Sequence, residues 1–258
     1  MASLVPNRVY CGDCIAGMKR LAAGKVDLVV TDPPFAIDFK ARRANYHRTA
    51  SRVMEGYTDV SSGDYCDFTL AWMREAYRLL KPSGSMYVFS GWNNLKDILG
   101  GLDAAGFTVV NHIIWKYQFG VATRRRFVAS HYHCLYACKY DKRRRFYPSA
   151  RFEATDRDGA GRSLRYRDME DVWTIKREYW HGDKKTPTKL PRELVEKILA
   201  YSSRKGDLVL DPFLGSGQVA VVSKALGRKY IGFEIVTEYA EFARQRLGRG
   251  RYRISAPK

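Results

Sequence analysis

The chain lacks an apolar run that approaches the roughly 18 to 20 residues of a membrane-crossing helix. Residues 1–10 also lack the apolar stretch of a secretory signal. The 5 cysteines are an odd number and cannot form a closed disulfide framework, so we expect free thiols. These absences argue against a membrane protein or a disulfide-stabilised secreted protein, and they predict a cytoplasmic location.

Acidic residues are scarce beside basic ones, since 27 Asp and Glu stand against 45 Lys and Arg and the formal net charge is +18. Such a charge favours binding to polyanions such as nucleic acid. The alternative is that the excess of basic residues serves only solubility. Several basic clusters have aromatic neighbours, a mixture that suits phosphate contact and base stacking. The candidate DNA-binding residues are Lys40, Arg42, Arg43, Arg48, Arg124, Arg125, Arg126, Arg143 and Arg144.

Short apolar stretches alternate with amphipathic segments that end at Gly or Pro, which is typical of an α/β fold. Strands are predicted at 8–11, 26–31, 85–90, 109–115, 132–138, 208–211 and 230–234. Helices are predicted at 14–23, 68–80, 95–105, 192–202, 219–226 and 237–247. This alternation predicts a mainly parallel sheet with helices on both faces.

Two long polar or basic segments interrupt the pattern, at 36–67 and 139–191. Loops of this length in a compact domain are usually functional or mobile. We therefore expect one domain over residues 1–258, with a mobile arm at 36–67 and a small inserted module at about 139–185.

The sharpest motif is Thr31-Asp32-Pro33-Pro34-Phe35, which follows a predicted strand. Because ligands bind at the carboxyl ends of parallel strands, Asp32 should face the crevice there. The prolines supply no N–H donors. Asp32 and the Pro33 carbonyl can therefore accept both hydrogens of an amino group, and Phe35 offers a stacking face. A purely structural Asp-Pro-Pro turn is the alternative.

A second motif, Asp211-Pro212-Phe213-Leu214-Gly215-Ser216-Gly217, also follows a strand and precedes a helix. Glycines there let a ligand approach the backbone and the first N–H groups of the helix. Glu234 stands 17 residues beyond Gly217, at the end of the next strand, where a carboxylate can bind ribose hydroxyls. With Ala220 the spacing also fits G-x-G-x-x-A, so a nicotinamide or flavin dinucleotide site stays open.

Together the two motifs resemble those of the amino DNA methyltransferases that use S-adenosylmethionine. D-P-P-F is similar to the family's catalytic motif, and D-P-F-x-G-S-G is similar to its cofactor loop. The catalytic motif comes first, which resembles the permuted order of the beta class. Residues 8–35 resemble the opening of that class and 186–246 its closing third, leaving mainly 139–185 without a counterpart. The family's H-P-T-Q-K-P reads T-P-T-K-L-P here, so the motif lysine falls on Leu190 and Lys189 is the candidate substitute.

This resemblance implies a Rossmann-like methyltransferase fold with a mainly parallel seven-stranded sheet and circularly permuted motifs. It implies that the inserted module recognises DNA, that Glu234 binds ribose, and that Asp13 accepts a hydrogen bond from the adenine amino group of the cofactor. Asp13 can also cap the helix that follows it, and Asp211 is expected to order its loop. The implied cofactor set is Asp13, Cys14, Asp211, Phe213, Gly215, Ser216, Gly217 and Glu234, and the catalytic set is Asp32, Pro33, Pro34 and Phe35.

The implied reaction is attack by the amino nitrogen of a base flipped out of DNA on the sulfonium methyl group, in a direct displacement. Phe35 is expected to stack against the flipped base. Asp at the first position of the tetrapeptide goes mostly with adenine in this family. Cytosine-N4 methylation and an inactive DNA-binding subunit of the same fold are the alternatives. The expected partner is DNA, and the resemblance also allows a homodimer and a cognate restriction enzyme.

A zinc site is a further alternative, because Cys11-x-x-Cys14 could join Cys134, Cys138 and the nearby His131 and His133. The second cysteine pair lies in an apolar strand pattern, however, and free cysteine is commonly buried. We therefore expect no metal.

Overall fold

A computed structural model describes residues 4–34, 61, 63–117, 124–125, 127–178 and 189–248. Its eight strands are β1 (Arg8–Cys11), β2 (Val26–Thr31), β3 (Leu80–Ser90), β4 (Thr108–Lys116), β5 (His131–Cys138), β6 (Val172–Thr174), β7 (Leu208–Asp211) and β8 (Lys229–Glu234). They form one sheet in the order β1-β8-β7-β2-β3-β5-β4-β6.

Helices cover both faces of the sheet. They are α1 (Cys14–Lys19), α2 (Tyr65–Leu79), α3 (Leu95–Ala105), α4 (Leu164–Met169), α5 (Arg192–Ser202), α6 (Gln218–Ala225) and α7 (Thr237–Gly248). The first three contribute side chains such as Met18, Trp72 and Ile98 to one hydrophobic core. On the other face, α5 and α6 bury Leu194 and Val219 in a second core. None of the described helices is long and apolar enough to span a membrane.

The strand directions decide which residues meet at each edge of the sheet. Every described pair of strands is parallel except the two that include β5, which is antiparallel to β3 and β4. Thr31, Asp211 and Glu234 therefore end their strands at one edge, here called the carboxyl edge. The start of β5 at His131 lies at this edge as well, whereas its end at Cys138 lies at the opposite edge, here called the amino edge.

The predicted α/β fold with a mainly parallel sheet and helices on both faces is confirmed, and all seven predicted strands are present. The predicted number of seven strands was too low, because β6 adds an eighth strand at the edge of the sheet beside β4. Strand β3 also begins earlier than predicted, directly after α2, and includes Pro82. A register shift between Val26 and Leu28 on β2 accommodates this start.

The described part of the predicted inserted module, 139–178, packs against the sheet. It supplies β6, and Lys139 donates hydrogen bonds to the carbonyls of Tyr77 and Leu80. The buried carboxylate of Asp27 on β2 pairs with Arg145 of this segment. Residues 35–60 and 62, most of the predicted arm, lie outside the described residues.

Candidate active site

The two sequence motifs meet at the carboxyl edge because β2 and β7 are paired neighbours. The buried hydroxyl of Thr31 donates a 2.8 Å hydrogen bond to Oδ1 of Asp211. The backbone N–H of Phe213 donates to the same oxygen at 3.1 Å. Burial raises the pKa of Asp211 to about 7, and these two hydrogen bonds oppose the shift. Asp211 thus joins the end of β2 to the glycine-rich loop and orders that loop.

Asp32 follows β2 directly and is half-buried, between the buried Thr31 and Pro33. Desolvation penalises its charged form and raises the pKa of the carboxyl group to about 7, while the positive charge of Arg177 lowers it. Among the described residues, its carboxylate makes no hydrogen bond or ion pair. Its oxygens are therefore available to a ligand.

The prolines after Asp32 leave this turn with acceptors only. Pro33 is buried and Pro34 half-buried, and neither has a backbone N–H. The neighbouring candidates Phe35, Lys40, Arg42, Arg43 and Arg48 lie outside the described residues, as does Arg126.

Two glycines shape the second motif. Gly217 has φ of +80°, and a Cβ there would lie 2.7 Å from Cβ of Ala243 on α7, so the position requires glycine. Gly215 has φ of +52°, and a Cβ there would meet no atom within 4 Å. The backbone at Gly215 is thus open to a ligand on the side where other residues carry a side chain. Ser216 between them is buried, and its carbonyl accepts a hydrogen bond from Arg246.

Glu234 holds this loop through its side chain. One carboxylate oxygen accepts the N–H of Gly215 at 2.7 Å, and the other accepts the N–H of Val236 at 2.9 Å. Burial raises the pKa of Glu234, and these N–H groups oppose the shift. A carboxylate offers about four lone-pair positions, so Glu234 can still accept hydrogen bonds from a ligand.

The remaining cofactor candidates lie beside Glu234, since β1 pairs with β8. Oδ1 of the exposed Asp13 caps α1 by accepting the N–H of Ala16 at 2.7 Å. Burial raises the pKa of the Cys14 thiol, so this thiol is neutral at physiological pH. Phe213 is half-buried and packs edge-on against Trp72, with ring centroids 5.4 Å apart.

The strand order separates the cysteines that the zinc alternative requires. Cys11 lies on β1, whereas Cys134 and Cys138 lie on β5, and four strands stand between. At about 4.8 Å per strand this separation is roughly 24 Å, too far for one metal ion. The part of the chain that the structure describes also holds no group of three metal-ligating side chains.

The predicted basic residues fall on opposite edges. Arg124 and Arg125 are exposed in the connection from β4 to β5, which a hydrogen bond from the N–H of Tyr117 to the carbonyl of Ser130 closes at the carboxyl edge. Arg143 and Arg144 follow β5 and therefore lie at the amino edge, away from Asp32. Arg144 pairs there with Asp141. The structure does not bring Arg143 and Arg144 to the same edge as the two motifs.

Sequence reasoning missed an ion-pair cluster beside the second motif. Glu178 pairs with Lys189 at 2.6 Å and accepts the backbone N–H of Arg192 at 2.9 Å. Lys189, the candidate substitute for the family lysine, is thus held by Glu178, and Leu190 is buried in the core under α5. No motif or residue spacing in the sequence predicts this cluster, because Glu178 lies in the segment that has no counterpart in the family.

Comparisons with known proteins agree with this geometry. The sequence model of a family described as "DNA methylase", with N6 and N4 types, matches residues 26–245. The chain is 31% identical over 240 residues to the Type II methyltransferase M2.LlaDCHI of Lactococcus lactis subsp. cremoris, covering 90% of this chain and 86% of that relative.

Solved structures show the same fold. The complex of M1.HpyAVI with SAM superposes with a TM-score of 0.61 and 25% identity, covering 93% of this chain and 98% of that one. The cytosine-N4-specific PvuII DNA methyltransferase superposes with a TM-score of 0.71 and 18% identity, covering 95% and 87%. The latter likeness concerns the fold alone.

Proposed function

Since the chain belongs to the DNA methylase family of N6-adenine and N4-cytosine type and is an S-adenosylmethionine-dependent DNA amino methyltransferase, we propose that it methylates the N6 amino group of a flipped adenine. The observation that carries this proposal is Asp32, held beside the glycine-rich loop with its carboxylate open to a ligand. The choice of adenine over cytosine is supported by the resemblance of the D-P-P-F motif.

The proposed catalytic role of Asp32 follows from what an exocyclic amino group lacks. Its lone pair is delocalised into the base, which makes the nitrogen a poor nucleophile. The Asp32 carboxylate and the Pro33 carbonyl accept its two hydrogens and favour a pyramidal nitrogen. The carboxylate also stabilises the positive charge that develops on this nitrogen during transfer. Positioning and electrostatics then supply most of the acceleration, and no thiol has to act.

The residues beside Asp32 fit the cofactor. The open backbone at Gly215 gives a ligand room, and Ser216 and Gly217 continue that cradle. We assign ribose binding to Glu234, the adenine amino group to Asp13, and a flanking contact to Phe213. When bound there, S-adenosylmethionine would supply an electrophilic methyl group to the amino nitrogen; its sulfur would keep the bonding electrons as a neutral thioether, and the nitrogen would lose one proton.

The identity of the methylated base is tested by product analysis. DNA treated with the enzyme and labelled cofactor is digested to nucleosides and analysed by mass spectrometry. We expect the label on the adenine amino group. Label chiefly on the cytosine amino group would overturn the base assignment but would still agree with the mechanism. Label on a cytosine carbon would overturn both the base assignment and the mechanism. A properly folded protein that gives no label on any DNA would support the inactive-subunit alternative.

We also propose that the carboxyl edge is the DNA interface, supported by the exposed Arg124 and Arg125 and the fully exposed Phe127 in the connection between β4 and β5 at this edge. Replacing Arg124 and Arg125 together by alanine should lower the slope of log affinity against log salt by about two, since each phosphate contact contributes about 0.9. Binding to duplex DNA is measured by fluorescence anisotropy at several salt concentrations.

The matched control for that experiment is the double alanine variant of Lys142 and Arg143, which are equally exposed but lie at the amino edge. It removes the same charge and should leave the slope unchanged. A slope that drops only in the control would place the DNA at the amino edge instead.

The remaining partner assignments belong to the same proposal. A cognate restriction enzyme is supported by the Type II designation of the relative M2.LlaDCHI, and a homodimer is supported by the resemblance to the beta class. A cytoplasmic location would give the enzyme access to both DNA and S-adenosylmethionine. Sedimentation equilibrium tests the homodimer directly.

A further inference from the structure

Arg246, in the last turn of α7, contacts the glycine-rich loop of the second motif. Its Nη1 donates to the carbonyl of Ser216 and also to Oγ of this residue at 3.3 Å, and its Nη2 donates to Oε1 of Gln218. One guanidinium group therefore binds both the residue before Gly217 and the residue after it. This contact uses the planar, forked geometry of arginine, which a lysine ammonium group does not reproduce.

The loop packs tightly against α7 at this point. A Cβ at Gly217 would lie 2.7 Å from Cβ of Ala243, which stands nearly one helical turn before Arg246. Ser216 and Gln218 are both buried. Their polar groups are shielded from water and therefore depend on partners within the protein.

Gln218 extends this contact to the segment before α5. Its Nε2 donates to Oε2 of Glu178 at 3.4 Å. The same carboxylate oxygen pairs with Lys189, and the other oxygen accepts the backbone N–H of Arg192. The amide of Gln218 thus has one orientation that satisfies both neighbours, with its oxygen towards the cation Arg246 and its nitrogen towards the anion Glu178.

Side chains hold the loop at three places. Asp211 accepts the N–H of Phe213, and Glu234 accepts the N–H of Gly215. These two carboxylates bind N–H groups in the first part of the loop, whereas Arg246 binds a carbonyl near its end. A loop that is fixed before its ligand arrives loses less conformational entropy when the ligand binds.

We propose that Arg246 and Gln218 are positioning residues of the cofactor site, which hold the glycine-rich loop in the conformation that binds S-adenosylmethionine. This inference rests on the assignment of the cofactor to this loop under Proposed function. It gives α7 and the ion-pair cluster around Glu178 a part in cofactor binding. Loss of this third attachment should weaken cofactor binding and leave the transfer of a bound methyl group almost unchanged.

The test compares cofactor affinity with the rate of methyl transfer. Arg246→Met and Gln218→Met should each raise the dissociation constant of S-adenosylmethionine about ten-fold, because each removes a hydrogen bond that involves a charged group. The single-turnover rate on duplex DNA at saturating cofactor should stay within about two-fold of the wild-type rate. Arg246→Lys should restore affinity only in part, since its ammonium group lacks the forked geometry.

The double variant of Arg246→Met and Gln218→Met tests whether the two residues act together. Because the two side chains are directly hydrogen-bonded, its affinity should be little lower than that of either single variant. Hydrogen exchange measures the loop itself. In both single variants the amides of residues 211–219 should exchange faster than in the wild type without cofactor, and at nearly the wild-type rate with saturating cofactor.

Arg244→Met is the matched control. Arg244 lies on the same helix, and its guanidinium group also donates to a backbone carbonyl, that of Val9 on β1. The variant removes the same charge and a similar contact, but it should leave cofactor affinity and hydrogen exchange of the loop unchanged. Thermal unfolding shows whether each variant is folded, and Gln218→Met carries the test if Arg246→Met does not fold.

The inference is overturned if the folded Arg246 and Gln218 variants bind S-adenosylmethionine as the wild type does, or no more weakly than Arg244→Met. Gly215→Asn tests the assignment on which the inference rests. Asparagine tolerates the left-handed φ of this position, and its side chain would fill the space that is open to a ligand. If Gly215→Asn binds the cofactor with wild-type affinity, the assignment of the cofactor to this loop fails first.

Discussion

Replacing Asp32 by alanine should lower the rate of methyl transfer by a factor on the order of 10² to 10⁴, the usual contribution of one positioned proton acceptor or charge-stabilising group. The variant loses the carboxylate that holds the amino group and stabilises its developing charge. Affinity for S-adenosylmethionine should stay within a few-fold, because the loop-ordering contacts belong to Asp211 and Glu234. Single-turnover kinetics and isothermal titration calorimetry measure the two quantities separately.

Asp32→Asn serves as the control for shape. Its amide keeps one carbonyl acceptor in the same position but carries no charge, so its loss of rate should be smaller than that of Asp32→Ala and should not depend on pH around pH 7. An Asp32→Ala variant that loses cofactor affinity as strongly as it loses rate would show that Asp32 acts on the cofactor instead.

Replacing Glu234 by alanine should have the opposite effect, weakening S-adenosylmethionine binding before it affects chemistry. The change removes the proposed ribose acceptor and leaves the N–H groups of Gly215 and Val236 without their carboxylate partner. Hydrogen bonds to a charged group contribute about 1.5–3 kcal/mol each, so affinity should fall at least about ten-fold. Calorimetric titration with S-adenosylmethionine gives the dissociation constant.

Glu238→Ala is the matched control, because Glu238 is an exposed acid in the first turn of α7, four residues away. It removes the same charge from the region and should leave affinity unchanged. If Glu234→Ala binds the cofactor as tightly as the wild type, the ribose assignment is wrong and the only role of Glu234 is to order the glycine-rich loop.

Local sequence signals placed most of the fold correctly. Helices α3 and α5 have the predicted bounds, since each combines an apolar stripe with a clear boundary residue: Gly106 adopts the left-handed conformation after α3, and Pro191 precedes α5. By contrast, β6 has only three residues with one buried side chain, Trp173, which is too short for a periodic signal.

The features of the site that the sequence does not predict depend on contacts that are distant in sequence. Gln218 contacts Glu178 across 40 residues of chain, and no motif predicts this contact. The placement of Arg143 depends on the direction of β5, which an apolar strand pattern does not reveal. Motifs located the candidate catalytic and cofactor residues because each motif follows a strand directly, whereas the side chains around them are brought together only by the three-dimensional arrangement.

The pairing of β1 with β8 has a consequence for how the enzyme is made. Tyr230 and Asn7 are hydrogen-bonded across 223 residues of chain, and α7 packs against β1 as well. Forming contacts between such distant residues has a large entropic cost of loop closure, so we expect them to form late in folding. During synthesis the strands from β2 to β6 can assemble first, whereas β1 has no partner until β8 leaves the ribosome. We therefore expect a nascent chain to carry the D-P-P-F turn long before it can hold the cofactor, so that no DNA is methylated by an unfinished protein.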